Sequence, residues 1–427
     1  MAMRQIPGVS IAVIKDGKVV KLQGYGFANL EHQVKVRPET IFQSGSMGKQ
    51  CTAALVLKLV EDGKIKLDDP VKKYLPQVAD AWSKITIRHL LTHTSGLGDP
   101  YDRLDFRKDY TDDELLEIEG KVPLLFAPGE KWSYSNMGYH VLGFLCNKVG
   151  GKFYADQLAE RIFKPAGMTT ARIISEADII PNRSAGYEVN GGVLQNQSWV
   201  APVLNTTADG SLYFSMLDLI KWDAALNSNK LFTDAQKKLM WTPVRLNNGK
   251  TEPYGFGWSL NEIAGHKHIG HGGAWQGFRT MIMRLVDDKL TVIVLANSGS
   301  ANPDTIARRV AGCYIPDLAP KPLAEIPDKD PQVTASIVKM LDLKGDALRA
   351  KLSPEFLKAV PANAFDSSIH ELNKSLGAFR RAALLQTQDR GEGRFYMYRL
   401  EYAKGNATIR LVLNKGGLVD GFMIEPE

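Results

Sequence analysis

Cysteine is scarce in this chain: three residues in 427, Cys51, Cys146 and Cys313, far apart in the sequence. An odd, scattered set of this kind excludes a disulfide framework. Each lies in an apolar stretch, so buried free thiols are expected rather than disulfides or metal ligands. No apolar run approaches the length needed to cross a bilayer, so no membrane span is expected. A block of like charge is also missing. The net charge is +6, but 53 Lys and Arg are interspersed among 47 Asp and Glu. That distribution describes a solvated surface and excludes a nucleic-acid footprint. There is no internal repeat and no low-complexity segment. The N-terminus, Met1-Ala2-Met3-Arg4-Gln5-Ile6-Pro7-Gly8, has no signal-peptide pattern and enters a strand almost at once. The expected location is cytoplasmic, or periplasmic or secreted if a leader has been removed.

What is present is a globular composition, 44% apolar and 23% charged, at a length that calls for two domains or one domain with an appendage. Val9 to Ile14 and Val19 to Gln23 are β-rich runs joined through Asp16-Gly17, a hairpin signal. Arg279 to Leu285 and Leu290 to Ala296 form a second hairpin around Asp287-Asp288. Between them the pattern to about Leu246 is mostly helical: Thr86 to Leu91, Met137 to Val149 and Phe153 to Phe163, with a capping box at Ser215-Met216-Leu217-Asp218. Ala301 to Cys313 reads as a closing helix. Strands at the two ends enclosing helices predict an antiparallel sheet with an inserted helical subdomain.

The domain boundaries follow. Residues 1–315 form the main domain, its sheet part at about 1–70 and 245–315 and its helical part at about 71–244. Pro316, Pro320, Pro322, Pro327 and Pro331 mark a linker over 316–331. Residues 332–427 form a small α+β domain. Its helices are expected over Val333 to Leu341 and Phe356 to Val360, its strands over Arg394 to Tyr402, Ala407 to Leu413 and Leu418 to Ile424. Tyr396, Tyr398, Leu400 and Tyr402 alternate onto one face, as a half-buried strand requires. No catalytic cluster lies there.

The chemistry concentrates in three segments. In Phe42-Gln43-Ser44-Gly45-Ser46-Met47-Gly48-Lys49, followed by the helix-forming run Cys51 to Leu57, Ser46 and Lys49 are three apart and share one helical face. A serine hydroxyl is a weak nucleophile until a base takes its proton, and a lysine at the positive end of a helix can be that base. Alone, such a pair is more often a helix start with a solvated lysine, so partners must decide. The second segment is Lys131-Trp132-Ser133-Tyr134-Ser135-Asn136, where a turn can present the Tyr134 hydroxyl and Asn136 offers both donor and acceptor. The third is Ile269-Gly270-His271-Gly272-Gly273-Ala274-Trp275-Gln276-Gly277, whose glycines allow close backbone approach.

Together, Ser-x-x-Lys, Tyr-x-Asn and a Gly-rich strand far downstream resemble the serine β-lactamase and penicillin-binding protein superfamily, in its class C-like branch. Ile6-Pro7-Gly8-Val9-Ser10-Ile11-Ala12-Val13, Ile87-Arg88-His89-Leu90-Leu91-Thr92-His93-Thr94-Ser95-Gly96-Leu97 and Phe126-Ala127-Pro128-Gly129 agree with it. The resemblance covers about residues 6 to 313. It implies a β-lactamase-like fold and an acyl-enzyme on Ser46, with Lys49 and Tyr134 moving its proton. It further implies that the backbone N–H groups of Ser46 and Ala274 form an oxyanion hole, and that Asn136, His271, Gly272, Gly273 and Trp275 border the substrate. His89 and His93 belong to a phrase that packs beside the site.

Penicillin-binding relatives carry Lys-Thr-Gly or a close variant where this chain has His271-Gly272-Gly273. His-x-Gly is similar to the family VIII carboxylesterases. The expected function is therefore a serine hydrolase on small acyl esters, with no metal and no cofactor. A β-lactamase, DD-peptidase or D-amino-acid peptidase acting on a lactam or peptide is the alternative, and an inactive penicillin-recognition scaffold is the non-enzyme reading. His266, His268 and His271 cluster in sequence, but Gly270 stands where a zinc site would need a further ligand.

Overall fold

The computed structural model describes residues 1, 5–173, 178–190, 192–319, 323–359, 372–390 and 393–426. Two compact units divide the chain, parting near residue 320.

The larger unit is built on a seven-stranded antiparallel sheet. Its strands are β1 (Gly8–Lys15), β2 (Lys18–Asn29), β3 (Val34–Lys35), β4 (Ser259–Ile263), β5 (His266–Trp275), β6 (Phe278–Leu285) and β7 (Leu290–Ala296), in spatial order β4-β5-β6-β7-β1-β2-β3. The first and last thirds of this unit thus close one sheet through the β1–β7 pair, with Val9 opposite Ala296 and Lys15 opposite Leu290. The hairpin at Asp16-Gly17 works because both residues take positive φ, 51° and 74°, matching the twist of the flanking strands. In the second hairpin the left-handed residue is Lys289, one beyond the expected Asp287-Asp288. Every residue of β7 is buried. Ile293 and Leu295 face the main core, while Val292 and Val294 face a second cluster under the closing helix. A strand covered on both faces reads as a continuous apolar run, as this one does.

The helices on the main-core side are α1 (Lys49–Glu61), α2 (Ile87–Leu91), α3 (Asn136–Gly150) and α4 (Met216–Leu226); α5 (Pro303–Gly312) covers the other face. α1 is buried almost all round, so tertiary packing rather than an amphipathic stripe holds it. Thr86 caps α2, Ser135 caps α3, and the Ser215/Asp218 capping box opens α4 as expected. Two sequence expectations change. Ser46 lies in a 3-10 turn, Gly45–Gly48, and the α-helix begins only at Lys49. The middle region also contains short strands. Leu212–Ser215, wholly buried, pairs with Ile41–Gln43 and with Arg172–Ile173 in a small antiparallel sheet. Four apolar residues are too few for periodicity to separate a strand from a buried helix. Cys51 and Cys146 are buried free thiols, but Cys313 is exposed at the end of α5.

The second unit has four antiparallel strands in chain order, β8 (Phe379–Arg390), β9 (Gly393–Tyr402), β10 (Gly405–Asn414) and β11 (Val419–Pro426). Helices accompany them, among them Pro331–Met340, Gly345–Arg349 and Pro354–Ala359. Tyr396, Tyr398, Leu400 and Tyr402 are all buried in its core, as their alternation predicts. β8 is an addition: charged residues at both ends hide its apolar centre. Val360, the expected end of the last helix, lies outside the described residues.

Candidate active site

The small sheet carries the chain into Ser44, whose N–H donates to the Leu212 carbonyl at 2.7 Å and whose own carbonyl accepts from the Thr280 hydroxyl at 2.6 Å. Gly45 then turns at φ +53°, and a Cβ there would fall 2.5 Å from the Ala274 nitrogen. A Cβ on Gly273 would fall 1.9 Å from the Ser44 oxygen. Glycine at both places lets β5 and the serine turn meet backbone to backbone. This brings Ala274 against the turn that holds Ser46. β4 pairs with β5 only as far as Gly270, so among the described residues no strand covers that edge from His271 to Trp275.

Ser46 is half-buried and Lys49 fully buried. The Lys49 Nζ makes three hydrogen bonds: Ser46 Oγ at 3.0 Å, Asn136 Oδ1 at 2.8 Å and the Asp209 carbonyl at 2.7 Å. The Asn136 amide is oriented from behind, since its Nδ2 donates to Asp99 Oδ2 at 2.9 Å. Asp99 is itself fixed by the Met137 N–H at 3.0 Å and the Ser135 hydroxyl at 3.3 Å. Two of the three Lys49 partners are therefore pure acceptors. A neutral amine has two hydrogens and one lone pair, so the hydrogens go to Asn136 and Asp209 and the lone pair faces the Ser46 hydroxyl. That is the arrangement a general base needs.

Tyr134 stands on the other side of the amine, its ring centroid 5.0 Å from Lys49 Nζ. Its hydroxyl is buried and has no hydrogen-bond partner among the described residues. The ring lies 4.2 Å from that of His93, a residue held at φ +58°.

His93 begins a chain of bonds that the sequence does not reveal. The Ser135 N–H donates to His93 Nδ1 at 3.2 Å, which places the His93 proton on Nε2, 3.2 Å from the Tyr254 hydroxyl. Tyr254 in turn donates to His271 Nε2 at 2.8 Å, and His271 Nδ1–H donates to the Gly272 carbonyl at 2.6 Å. Backbone groups at both ends fix every tautomer between them. Burial lowers His271 to about 4 against the bond to Gly272. Burial, then Lys49 and His271, holds His93 well below its usual range.

Ser46, Lys49, Tyr134 and Asn136 are thus brought together, with Ala274 alongside. Gly272 is exposed and Gly273 buried against Ser44. His271 differs from its expected place at the substrate: it is 7% exposed and both ring nitrogens are bonded within the protein. Trp275 is half-buried and gives its indole N–H to Asn205 Oδ1 at 2.8 Å. His266 turns away to Asp288, 2.9 Å from it. Asp99, Asp209 and Tyr254 were not singled out. Asp209 acts through its carbonyl, which has no sequence signature, and Tyr254 is marked only by the glycines around it, Gly255 and Gly257.

Comparison with known proteins accords with this geometry. A family model described as Beta-lactamase matches residues 1–312. The chain is 31% identical over 306 residues to penicillin-binding protein 4* of Bacillus subtilis (strain 168), with 67% of each chain covered. It is 31% identical over 304 residues to a D-aminopeptidase of Gluconobacter oxydans (strain 621H), covering 69% of this chain and 56% of that one. Among solved structures, an octameric penicillin-binding protein homologue from Pyrococcus abyssi superposes with a TM-score of 0.67 at 26% identity, over 96% of this chain and 87% of that one. A D-amino acid amidase from Ochrobactrum anthropi SV3 shares the fold at a TM-score of 0.62 and 23% identity, over 70% of this chain and 88% of that one. The chain belongs to the Beta-lactamase family, within the superfamily of serine β-lactamases and penicillin-binding proteins, and is a β-lactamase-like serine hydrolase.

Proposed function

We propose that this hydrolase cleaves small amides or peptides whose acyl part is a D-amino acid, through an acyl-enzyme on Ser46. The observation that carries the acyl-transfer reading is the Lys49 amine, bound to two carbonyl acceptors and facing the Ser46 hydroxyl. Ser46 Oγ attacks the substrate carbonyl carbon as its proton passes to Lys49. The Ser46 and Ala274 N–H groups receive the oxyanion. Tyr134 relays a proton to the leaving amine, and water then opens the Ser46 ester. Every one of these groups belongs to the larger unit, so the C-terminal unit is taken to be accessory.

The substrate class rests on His271. A buried neutral imidazole with both nitrogens occupied gives a substrate carboxylate no partner, where a charged donor would contribute about 1.5–3 kcal/mol. That disfavours carboxylated lactams and C-terminal D-Ala-D-Ala peptides, and favours uncharged leaving groups. Relatives named D-aminopeptidase support a D-residue on the acyl side. Carboxylester hydrolysis is the second reading, favoured by the same neutral His271.

Rates on D- and L-alanine p-nitroanilide, a short p-nitrophenyl ester and a penicillin test this. The expected order places the D-anilide well above its L-enantiomer and above the penicillin. Ester turnover with no anilide cleavage would make the protein a carboxylesterase, and fastest turnover of the penicillin a β-lactamase.

A further inference from the structure

The Asp209 carbonyl that receives Lys49 belongs to a residue whose side chain enters a buried ionic cluster. His140 lies one turn beyond Asn136 on α3, on the same helical face. Its Nε2 is 3.1 Å from Asp209 Oδ1, and its Nδ1 is 2.7 Å from Glu119 Oε1, on the helix Asp112–Gly120. Side-chain exposures are 6% for His140, 9% for Asp209 and 0% for Glu119. The Thr207 hydroxyl donates to Asp209 Oδ1 at 2.6 Å. Around the cluster the same segment is tied down again, the Ala208 carbonyl accepting from Thr52 and the Thr207 carbonyl from Tyr154.

We propose that His140 is a positioning residue of the active site: clamped between Glu119 and Asp209, it holds the Asp209 carbonyl on the Lys49 amine and cancels the Asp209 charge there. The inference rests on Lys49 acting as the base for Ser46. An uncompensated carboxylate beside Lys49 would keep the amine protonated, and a protonated amine has no lone pair for the Ser46 hydroxyl. An imidazolium bonded to that carboxylate removes the obstacle.

The electrostatics agree with the geometry. Burial alone would lower His140, but the Asp209 and Glu119 carboxylates raise it to about 10, so it stays charged at neutral pH. Burial alone would raise Asp209, yet the charge and hydrogen bond of His140 hold it well below the carboxylate range. Glu119 is raised by burial against the pull of His140. The other groups facing Lys49 are Tyr134 and Tyr139, with ring centroids 5.0 and 5.3 Å from the amine, neutral His93 and His271, and Asp99 behind Asn136. On the far side of His140, Asp112 and Tyr154 line the same cavity, the Tyr154 phenol raised by burial and then by Asp209, while the Tyr101 phenol, also raised, interacts with Asn136, Asp99 and Tyr134 on the Lys49 side; both phenols remain neutral. His140 and Asp209 are the members in direct contact both with each other and with the segment on Lys49.

The test is the pH dependence of Ser46 labelling by a fluorophosphonate, in the full chain. The acid limb of that profile reports the loss of the proton that blocks the base for Ser46. H140N leaves the Asp209 charge uncancelled, so the limb should move up by about one pH unit or more, the usual scale for a close charge. D209N removes the anion and should move it down. The double variant should return it toward the wild-type position, a reversal that loss of packing would not produce. Should H140N fail to fold, D209N alone decides, a downward shift supporting the proposal and an unmoved limb overturning it. Wild-type protein unlabelled at Ser46 would overturn the nucleophile assignment and this proposal with it. Labelling at Ser46 with the same limb in both single variants would overturn the proposal alone.

Discussion

The Lys49 amine stands 3.0 Å from the Ser46 hydroxyl, and its two other hydrogen bonds end on carbonyl oxygens. This relationship makes the amine's neutral form directional, because both hydrogens are already placed. Lys49→Met should keep the buried volume and lose acylation by roughly two to four orders of magnitude, the scale for removing an acid–base group. Asn136→Ala should cost less, since the Asp209 carbonyl still orients the amine. Single-turnover acylation with an activated ester measures both. An Asn136 variant as slow as the Lys49 variant would mean that Asn136 does more than orient.

Tyr254 joins His93 to His271 without reaching the Lys49 amine. Tyr254→Phe removes one acceptor and one donor from a buried chain, so His271 Nε2 loses its partner. The expected result is a loss of about tenfold in kcat/KM, with Ser46 still labelled, and in nitrogen NMR a shifted His271 Nε2 resonance with the Nδ1–H tautomer kept by the Gly272 carbonyl. The loss follows from one unmade buried hydrogen bond at about 1–3 kcal/mol. An unmoved Nε2 resonance, or a wild-type His271 protonated on Nε2, would break the proposed order of donors and acceptors.

Much of the site was legible because its residues sit at fixed short spacings on one turn or helix start. Ser46 with Lys49, and Tyr134 with Asn136, are pairs of that kind. What stayed hidden is brought in by tertiary structure. Asp209 reaches Lys49 because the strand Leu212–Ser215 pairs with Ile41–Gln43, and that strand was too short to identify in a region that otherwise reads as helical. His271 was placed correctly in sequence but not in contact, since its partner Tyr254 meets it only when β5 is packed. The hairpins around Asp16-Gly17 and Asp287-Asp288 were visible because turn residues and alternation are local properties. β8 was not, because its flanking arginines and acids mask an apolar centre.

Stability should fall on the acid side through buried neutral histidines. His268 is lowered to about 4 by burial and then by Arg308, His271 to about 4 by burial, and His93 well below its usual range. The unfolded chain takes up these protons near about pH 6.5, whereas the folded chain takes up those of His268 and His271 only near about 4 and that of His93 well below its usual range. Between those values the unfolded state binds more protons, so stability present above about 6.5 is lost as pH falls toward 4. The slope is about 1.4 kcal/mol per pH unit for each such imidazole. His140 has the opposite sign: raised to about 10, it stabilises fully below about 6.5 and loses that contribution as pH rises through about 10. Urea midpoints measured across this range should peak between the two windows. A midpoint that stays level from neutral pH down to about 4.5 would contradict the buried neutral assignments.

The central claim, that acyl transfer runs through Ser46, is tested most directly by intact mass and peptide mapping after reaction with an activated ester and a serine-directed phosphonate. The account predicts one adduct per chain on the peptide containing Ser46, formed by the wild-type protein and absent from Ser46→Ala. An adduct that persists in Ser46→Ala, or that maps to another residue in the wild type, would contradict it.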